Sequence, residues 1–290
     1  MKTVAAAKIN WTLEVLGRRD DGYHEIRSVM QTIDLRDELL AEASEGSSFE
    51  TTEGSPLPDD DLIPRAARAL EERVDGRLPV RIRVEKQIPV ASGLGGGSSN
   101  AAAVLRTLER MWELGMSQER LAEVAAGIGS DAPFFLSGGT ALAEGRGECV
   151  RPLPDAPTAW LVLLAPPIKI PEKTRQLYQA LKAGDFGDGS YGEALTQRLQ
   201  RGESIREDAL YNVFERVAND TFEGLEMYRD ALLTAGAEAA HLAGAGPALF
   251  ALVESEAAAK GLAERVQAQG AKVIVTRTLT AREATAIVNG

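Results

Sequence analysis

The sequence predicts an α+β chain in two halves. Residues 80–112 read as strand, glycine-rich loop and helix: Val80, Ile82 and Val84 alternate with charged residues, and Ala101, Val104, Leu105, Leu108, Met111 and Trp112 recur at helical spacing. Residues 1–40 carry a β-prone run around Val4–Leu16 and a second ending in DLRDELL. The polar stretch GRRDDGYHE separates them, and its Asp21-Gly22 pair is a hairpin signal. The proline-rich RPLPDAP at 151–157 precedes a fresh apolar run, Trp160–Leu164, after which strands and helices alternate in an order suited to a split βαβ, ferredoxin-like layer. The expected division is 1–155 and 156–290.

Composition narrows the class. Of 290 residues, 44% are hydrophobic and 26% charged, as in an ordinary globular protein. A net charge of −11 argues against nucleic acid or an anionic membrane as a general surface partner. An anionic small molecule would need a local island of N–H groups, lysine and arginine. Cys149 is the single cysteine, which rules out an intrachain disulfide and a cysteine metal cluster. MKTVAAAKIN lacks the apolar stretch of a signal peptide, and AWLVLLAPPI is too short to span a bilayer, so a cytoplasmic protein is expected.

The remaining elements follow in order. Residues 41–60 are polar and rich in Gly, Ser and Pro, and read as hairpin and loop. Asp61–Val74 is an amphipathic helix with Leu62, Ala66, Ala69 and Leu70 inward and Asp61 as a candidate N-cap. Gly93, Gly95, Gly96 and Gly97 let a ligand reach the backbone, and the next helix starts near Ser98, capped by Ser98 or Ser99. The first-turn N–H groups of such a helix attract an anion. The loop is neither a Walker A sequence, having no lysine after the glycines, nor a GxGxxG fingerprint, since Ser98 stands at the last position. Ser117–Ile128 is a further helix, and Asp131 lies in a small-residue turn before Pro133. A helix from Glu172, a glycine-rich loop at 184–192, a helix over Ser255–Gln269 and a strand over Lys272–Leu279 complete the chain. By spacing alone Lys8 is an outward or snorkelling residue of its strand, and Tyr23 and His24 are surface residues.

PxxxGLGGGSS, beginning at Pro89, resembles the ATP-binding motif of the GHMP kinases. AAKINWTLEVLGRRDDGYHEIRSVMQTIDLRD resembles the N-terminal signature of the branch whose acceptor is a cytidyl diphosphate alcohol. GSDAPFF is similar to a GADVPFF segment, and HLAGAGPALF to a glycine motif that usually reads SGSGP, with Ala243 and Ala245 replacing its hydroxyl residues. The resemblance implies a GHMP-kinase fold, with an N-terminal ribosomal-protein-S5-domain-2-like domain and a C-terminal ferredoxin-like domain. It further implies ATP and Mg²⁺, with Lys8 and Asp131 as the catalytic pair. ATP would be held by Pro89, Gly93, Leu94, Gly95, Gly96, Gly97, Ser98 and Ser99, with Asp61 near the adenine where the family usually has Asn. Asn10, Tyr23, His24 and Tyr178 would hold the acceptor. Ser98 and Ser99 are candidate Mg²⁺ ligands, competing with a capping role. A GHMP kinase for another small alcohol, or a nucleotide-binding relative without turnover, are the other readings; retention of Lys8 and Asp131 speaks against the last.

Overall fold

A long antiparallel hairpin, β1 (Lys2–Arg18) with β2 (His24–Ala43), organises the first half of the computed structural model, which describes residues 1–74 and 79–288. The turn is closed by Arg19 N–H donating to Tyr23 O (2.8 Å) and Gly22 N–H to Arg19 O (3.1 Å), with Gly22 at φ 86°. Register shifts at Ala6/Ala7, Asn10/Thr12 and Val15/Gly17 mark bulges that bend and twist the hairpin.

β3 (Ser48–Thr51), α1 (Leu62–Glu71), β4 (Val80–Glu85), α2 (Gly96–Met111), α3 (Gln118–Ile128), α4 (Ala132–Ser137), β5 (Thr140–Gly145) and β6 (Cys149–Pro152) follow. β4 pairs with β2, and β5 pairs with the other stretch of β2 and with β6. β3 runs parallel to β4, so residues 41–60 supply an edge strand; of the expected hairpin only a Glu50–Pro56 bridge is found. α1–α4 bury one core with this sheet, including Leu39, Ile82, Leu70, Leu105 and Phe134. α3 has its expected cap, Ser117 accepting from Arg120 N–H, and Asp61 caps α1 by accepting from Ile63 N–H at 2.8 Å.

The second half contains β7 (Trp160–Ala165), α5 (Lys173–Ala180), α6 (Ser190–Gln200), β8 (Tyr211–Asn212), α7 (Ala218–Thr221), α8 (Leu225–Thr234), β9 (His241–Leu242), β10 (Leu249–Val253), α9 (Glu256–Arg265), β11 (Lys272–Arg277), α10 (Ala281–Ala284) and β12 (Ile287–Val288). Its antiparallel sheet runs β11-β7-β10-β9 and follows the β-α-β-β-α-β order expected, with Ser255 capping α9. The halves are laced together. β8 pairs parallel with β1, β12 antiparallel with β1, and a shared core joins Ile9 and Trp11 to Leu161, Leu163 and Phe250.

α2 begins earlier than the sequence suggests. Gly95, in the left-handed conformation (φ 74°), is its N-cap without a side-chain bond, and both serines lie inside the first turn. Ser99 caps nothing because its hydroxyl donates to Ala6 O at 2.7 Å. A buried carboxylate fixes how the chain reaches this loop. Asp37, fully buried in β2, accepts from Gln87 N–H (2.7 Å), Ile88 N–H (2.8 Å) and Asn100 Nδ2 (2.9 Å), and pairs with Lys86 Nζ (2.8 Å). Removing such an acceptor strands buried donors. Asp37→Ala is expected to lower unfolding free energy by about 3–5 kcal/mol in a urea titration; a loss under about 1 kcal/mol would deny the carboxylate its anchoring role.

Candidate active site

A cavity of about 1240 Å³ opens where the glycine loop, the hairpin and the start of α5 meet. Its walls include Lys8, Asn10, Tyr23, His24, Asp61, Pro89, Gly93, Gly95, Gly96, Gly97, Ser98, Asp131 and Tyr178. Of the residues the sequence singled out, Leu94 and Ser99 do not face it. Leu94 is fully buried in the shared core and contributes through its carbonyl, which accepts from Lys8 N–H at 2.9 Å. Ser99 is buried with its hydroxyl donated to Ala6 O, which leaves Ser98 as the serine at the cavity wall.

Lys8 overturns its reading as an outward residue: only 5% of it is exposed. Burial of an ammonium requires acceptors. Lys8 Nζ donates to Asn10 Oδ1 at 2.8 Å and lies 3.4 Å from Asp131 Oδ2. Two residues apart on one strand, Lys8 and Asn10 share a face. Asn10 Nδ2 donates to Ser28 Oγ (2.7 Å), whose hydroxyl donates to Thr12 O (2.6 Å). Both ends of the Asn10 amide are thus occupied in orienting Lys8. Glycines leave the space for it. A Cβ on Gly95 would stand 3.0 Å from Lys8 Cγ, and one on Gly244 2.7 Å from Lys8 Nζ.

Asp131 stands at the N-cap position of α4 but makes no capping bond, and its partly exposed carboxylate pairs with Lys8. The glycine loop lies opposite. A Cβ on Gly93 would meet Ala243 O at 2.1 Å and Gly246 N at 2.7 Å, so the loop packs directly on the 243–246 turn. Asn212 holds that turn, donating from Nδ2 to Leu242 O (2.9 Å) and Gly244 O (2.8 Å). The alanines that replace hydroxyl residues differ: Ala243 is wholly buried, whereas Ala245 reaches the cavity wall.

At the other end of the cavity, the rings of His24 and Tyr178 stack 4.7 Å apart at 19°, with Phe214 edge-on to Tyr178. They touch, so a base cannot lie between these two rings in this arrangement. Tyr23 is 54% exposed, with the Arg146 guanidinium 4.7 Å over its ring. Burial, aided by Arg18, lowers the His24 pKa, and burial and then Asp131 raise that of Tyr178. The stacked pair is therefore neutral near pH 7.

Lys173, the first residue of α5, is a cavity lysine that sequence reasoning missed. Its Nζ donates to Ala245 O (3.2 Å) and Gly246 O. Burial first, and then Lys8, push its pKa down to about 7, with Asp131 acting in the opposite direction. Charge in an exposed-looking PEKTRQ string carries no signal of this placement. Among the described residues no group of three or more His, Cys, Asp or Glu side chains could hold a metal ion, and none of the helices is long and apolar enough to cross a membrane. A divalent cation here would draw most of its ligands from phosphate and water, with Ser98 as a nearby oxygen donor.

Residues 61–139 match the GHMP kinases N terminal domain and residues 193–272 the GHMP kinases C terminal domain. A Dehalococcoides mccartyi protein named 4-diphosphocytidyl-2-C-methyl-D-erythritol kinase is 40% identical over 277 residues, 95% of this chain and 97% of that one. A Pelotomaculum thermopropionicum protein of the same name is 40% identical over 283 residues, covering 96% and 98%. A crystal structure of 4-(cytidine 5'-diphospho)-2C-methyl-D-erythritol kinase superposes with a TM-score of 0.81 at 34% identity over 96% of this chain and 99% of that one. Homoserine kinase from Cytophaga hutchinsonii, at 0.74 and 18% identity over 97% and 94%, shares the fold.

The 243–246 turn rests on a titrating group. His241, at the start of β9, touches Glu207 through Nε2 and lies 3.4 Å from Glu215 through Nδ1; Glu215 also accepts from Leu242 N–H at 2.8 Å. Burial alone would lower its pKa, but the two carboxylates prevail and raise it to about 9. A group raised on folding stabilises fully below its unfolded pKa, near 6.5, and loses that contribution as pH rises through about 9. The stability advantage of the parent over His241→Gln is therefore expected to be on the order of 2–3 kcal/mol at pH 6 and to shrink toward zero by pH 10 in denaturant titrations. An advantage independent of pH would contradict this coupling.

Proposed function

The chain belongs to the GHMP kinases, and on that premise we propose that it transfers the γ-phosphoryl group of ATP to the 2-hydroxyl of 4-diphosphocytidyl-2-C-methyl-D-erythritol, a step of non-mevalonate isoprenoid synthesis. The Lys8–Asp131 pair carries this reading, because it faces the glycine loop across the same cavity that holds Tyr23, His24 and Tyr178. That cavity exceeds the roughly 300–1,000 Å³ usual for one small-molecule site, as two substrates require. Residues 1–155 are read as the ATP-binding domain and 156–290 as the C-terminal domain, in a cytoplasmic enzyme.

In this reading the N–H groups of the Gly93–Ser98 segment and of the first turn of α2 hold the triphosphate, with the α2 dipole favouring its charge. Asp61 serves α1 as its N-cap and lies at the same wall, where the adenine is placed. The Ser98 hydroxyl would help hold Mg²⁺ together with phosphate oxygens, and the cation would supply countercharge to the phosphates. Asp131 accepts the proton of the acceptor hydroxyl as the new O–P bond forms and the bond from phosphorus to the ADP oxygen breaks, ADP leaving with the electron pair. Lys8 orients Asp131 and stabilises the charge on the phosphoryl oxygens. Asn10 keeps Lys8 in place and faces the acceptor, while Tyr23, beside His24 and Tyr178, offers an exposed face on which the cytosine stacks.

ADP release measured with a panel of alcohols tests the assignment. The cytidyl substrate is expected to be preferred; a better rate with an uncytidylated alcohol would transfer the reading to another small-alcohol kinase. Asp131→Asn and Lys8→Met are each expected to lower kcat by about 10²-fold or more. Because the two groups act as a unit, the double variant is expected to lose far less than the product of the single losses; strictly multiplicative losses would separate their roles. Tyr23→Ala is expected to raise KM for the cytidyl substrate about tenfold, the size of a lost stacking contact, while ATP affinity holds. An unchanged KM would remove Tyr23 from acceptor binding.

A further inference from the structure

Lys173 is explained neither by the glycine loop nor by the Lys8–Asp131 pair, yet its placement is costly. It follows Glu172, a non-glycine residue held at φ 48° and ψ 31°. Such a left-handed residue costs on the order of 1 kcal/mol or more and persists where the surroundings enforce it. The side chain reaches inward from α5 to the carbonyls of Ala245 and Gly246. The Gly246 carbonyl oxygen is itself 3.0 Å from where a Cβ on Gly93 would stand. The ammonium therefore lies beside Gly93, the first glycine of the loop. Two of its three N–H donors serve the carbonyls, which leaves a third for a ligand in the cavity that Lys173 lines.

We propose that Lys173 is a phosphate-contacting residue, its ammonium binding an oxygen of the γ-phosphoryl group of ATP and remaining on that group during transfer. This rests on the kinase reading above. The first turn of α2 and Lys173, which line the same cavity, then both hold the phosphoryl group, one with backbone N–H groups and the other with a full charge. Transfer through a loose transition state depends on such fixed charges. The titratable groups acting on Lys173 are Lys8 from β1 and Asp131 ahead of α4; Tyr178, on its own helix, lines the same cavity, and the 243–246 turn presents carbonyls. With its pKa held near 7, the free enzyme carries Lys173 partly neutral above neutrality, and a bound phosphate draws the proton back.

Lys173→Met and Lys173→Arg, each first shown to be folded by its thermal midpoint, provide the test. Calorimetry needs no turnover: the preference of the parent for a non-hydrolysable ATP analogue over ADP is expected to fall at least about tenfold in Lys173→Met. In ADP-release assays kcat is expected to fall about 10²-fold in Lys173→Met. The kcat/KM of the parent is expected to decline as pH rises above about 7, and Lys173→Arg, whose charge does not titrate there, to keep activity without that decline. A lysine that only ties α5 to the turn would alter the thermal midpoint but neither the analogue preference nor the pH profile, and that result overturns the proposal. So does a change confined to the KM of the acceptor, which would place the ammonium on the acceptor's diphosphate instead. A parent that binds the analogue but phosphorylates no alcohol would sink the kinase reading, while the analogue-to-ADP ratio would still decide the role of Lys173.

Discussion

A buried ammonium must be surrounded by acceptors and be given room, and the centre of this protein is built around meeting that demand at Lys8. The strand supplies Asn10 on the same face, Ser28 fixes Asn10 from the paired strand, and the turn before α4 supplies Asp131. Two glycines from distant parts of the chain, Gly95 and Gly244, leave the space the side chain fills. A cation desolvated this way is stabilised only with its acceptors in place, so the same arrangement that makes Lys8 tolerable also aims it at the cavity.

The glycine loop depends on both halves of the chain. Its approach is fixed from the first half by Asp37, which gathers two loop N–H groups, an α2 side chain and Lys86. Its glycine end lies against the 243–246 turn so closely that no side chain fits at Gly93. That turn in turn hangs on Asn212 and on the His241–Glu215 pair. The geometry of the site is therefore a property of the whole molecule, which accords with a core that joins Trp11 edge-on to Phe250 across the halves.

Much of this was legible in the sequence where local chemistry decides structure. The alternation at Val80–Val84, the serines capping α3 and α9 and the Asp21-Gly22 turn act over a few residues, and they fold as they read. Tertiary contacts decided the rest. The start of α2 was misplaced because glycine at positive φ ended the loop before either serine, and Ser99 found Ala6 instead of a cap. Residues 48–51 became a parallel edge strand because β4 offered an unpaired edge, which residues 41–60 do not announce. Spacing alone put Lys8 at the surface; only the recurrence of a family motif pointed inward. Lys173 had neither kind of signal, since its position depends on a left-handed residue and on carbonyls more than seventy positions away.

The pairing of β12 with the start of β1 bears on how the molecule is made. Ribosomes deliver chains at roughly 5–20 residues per second, so on the order of tens of seconds separate these two strands. Through that interval the first strand presents open N–H and C=O groups along the edge that β12 and β8 later close. A nascent chain of this protein is thus an unfinished sheet with an adhesive margin, and Lys2 near the tip of that margin is a charge of the kind that discourages strand addition by other chains.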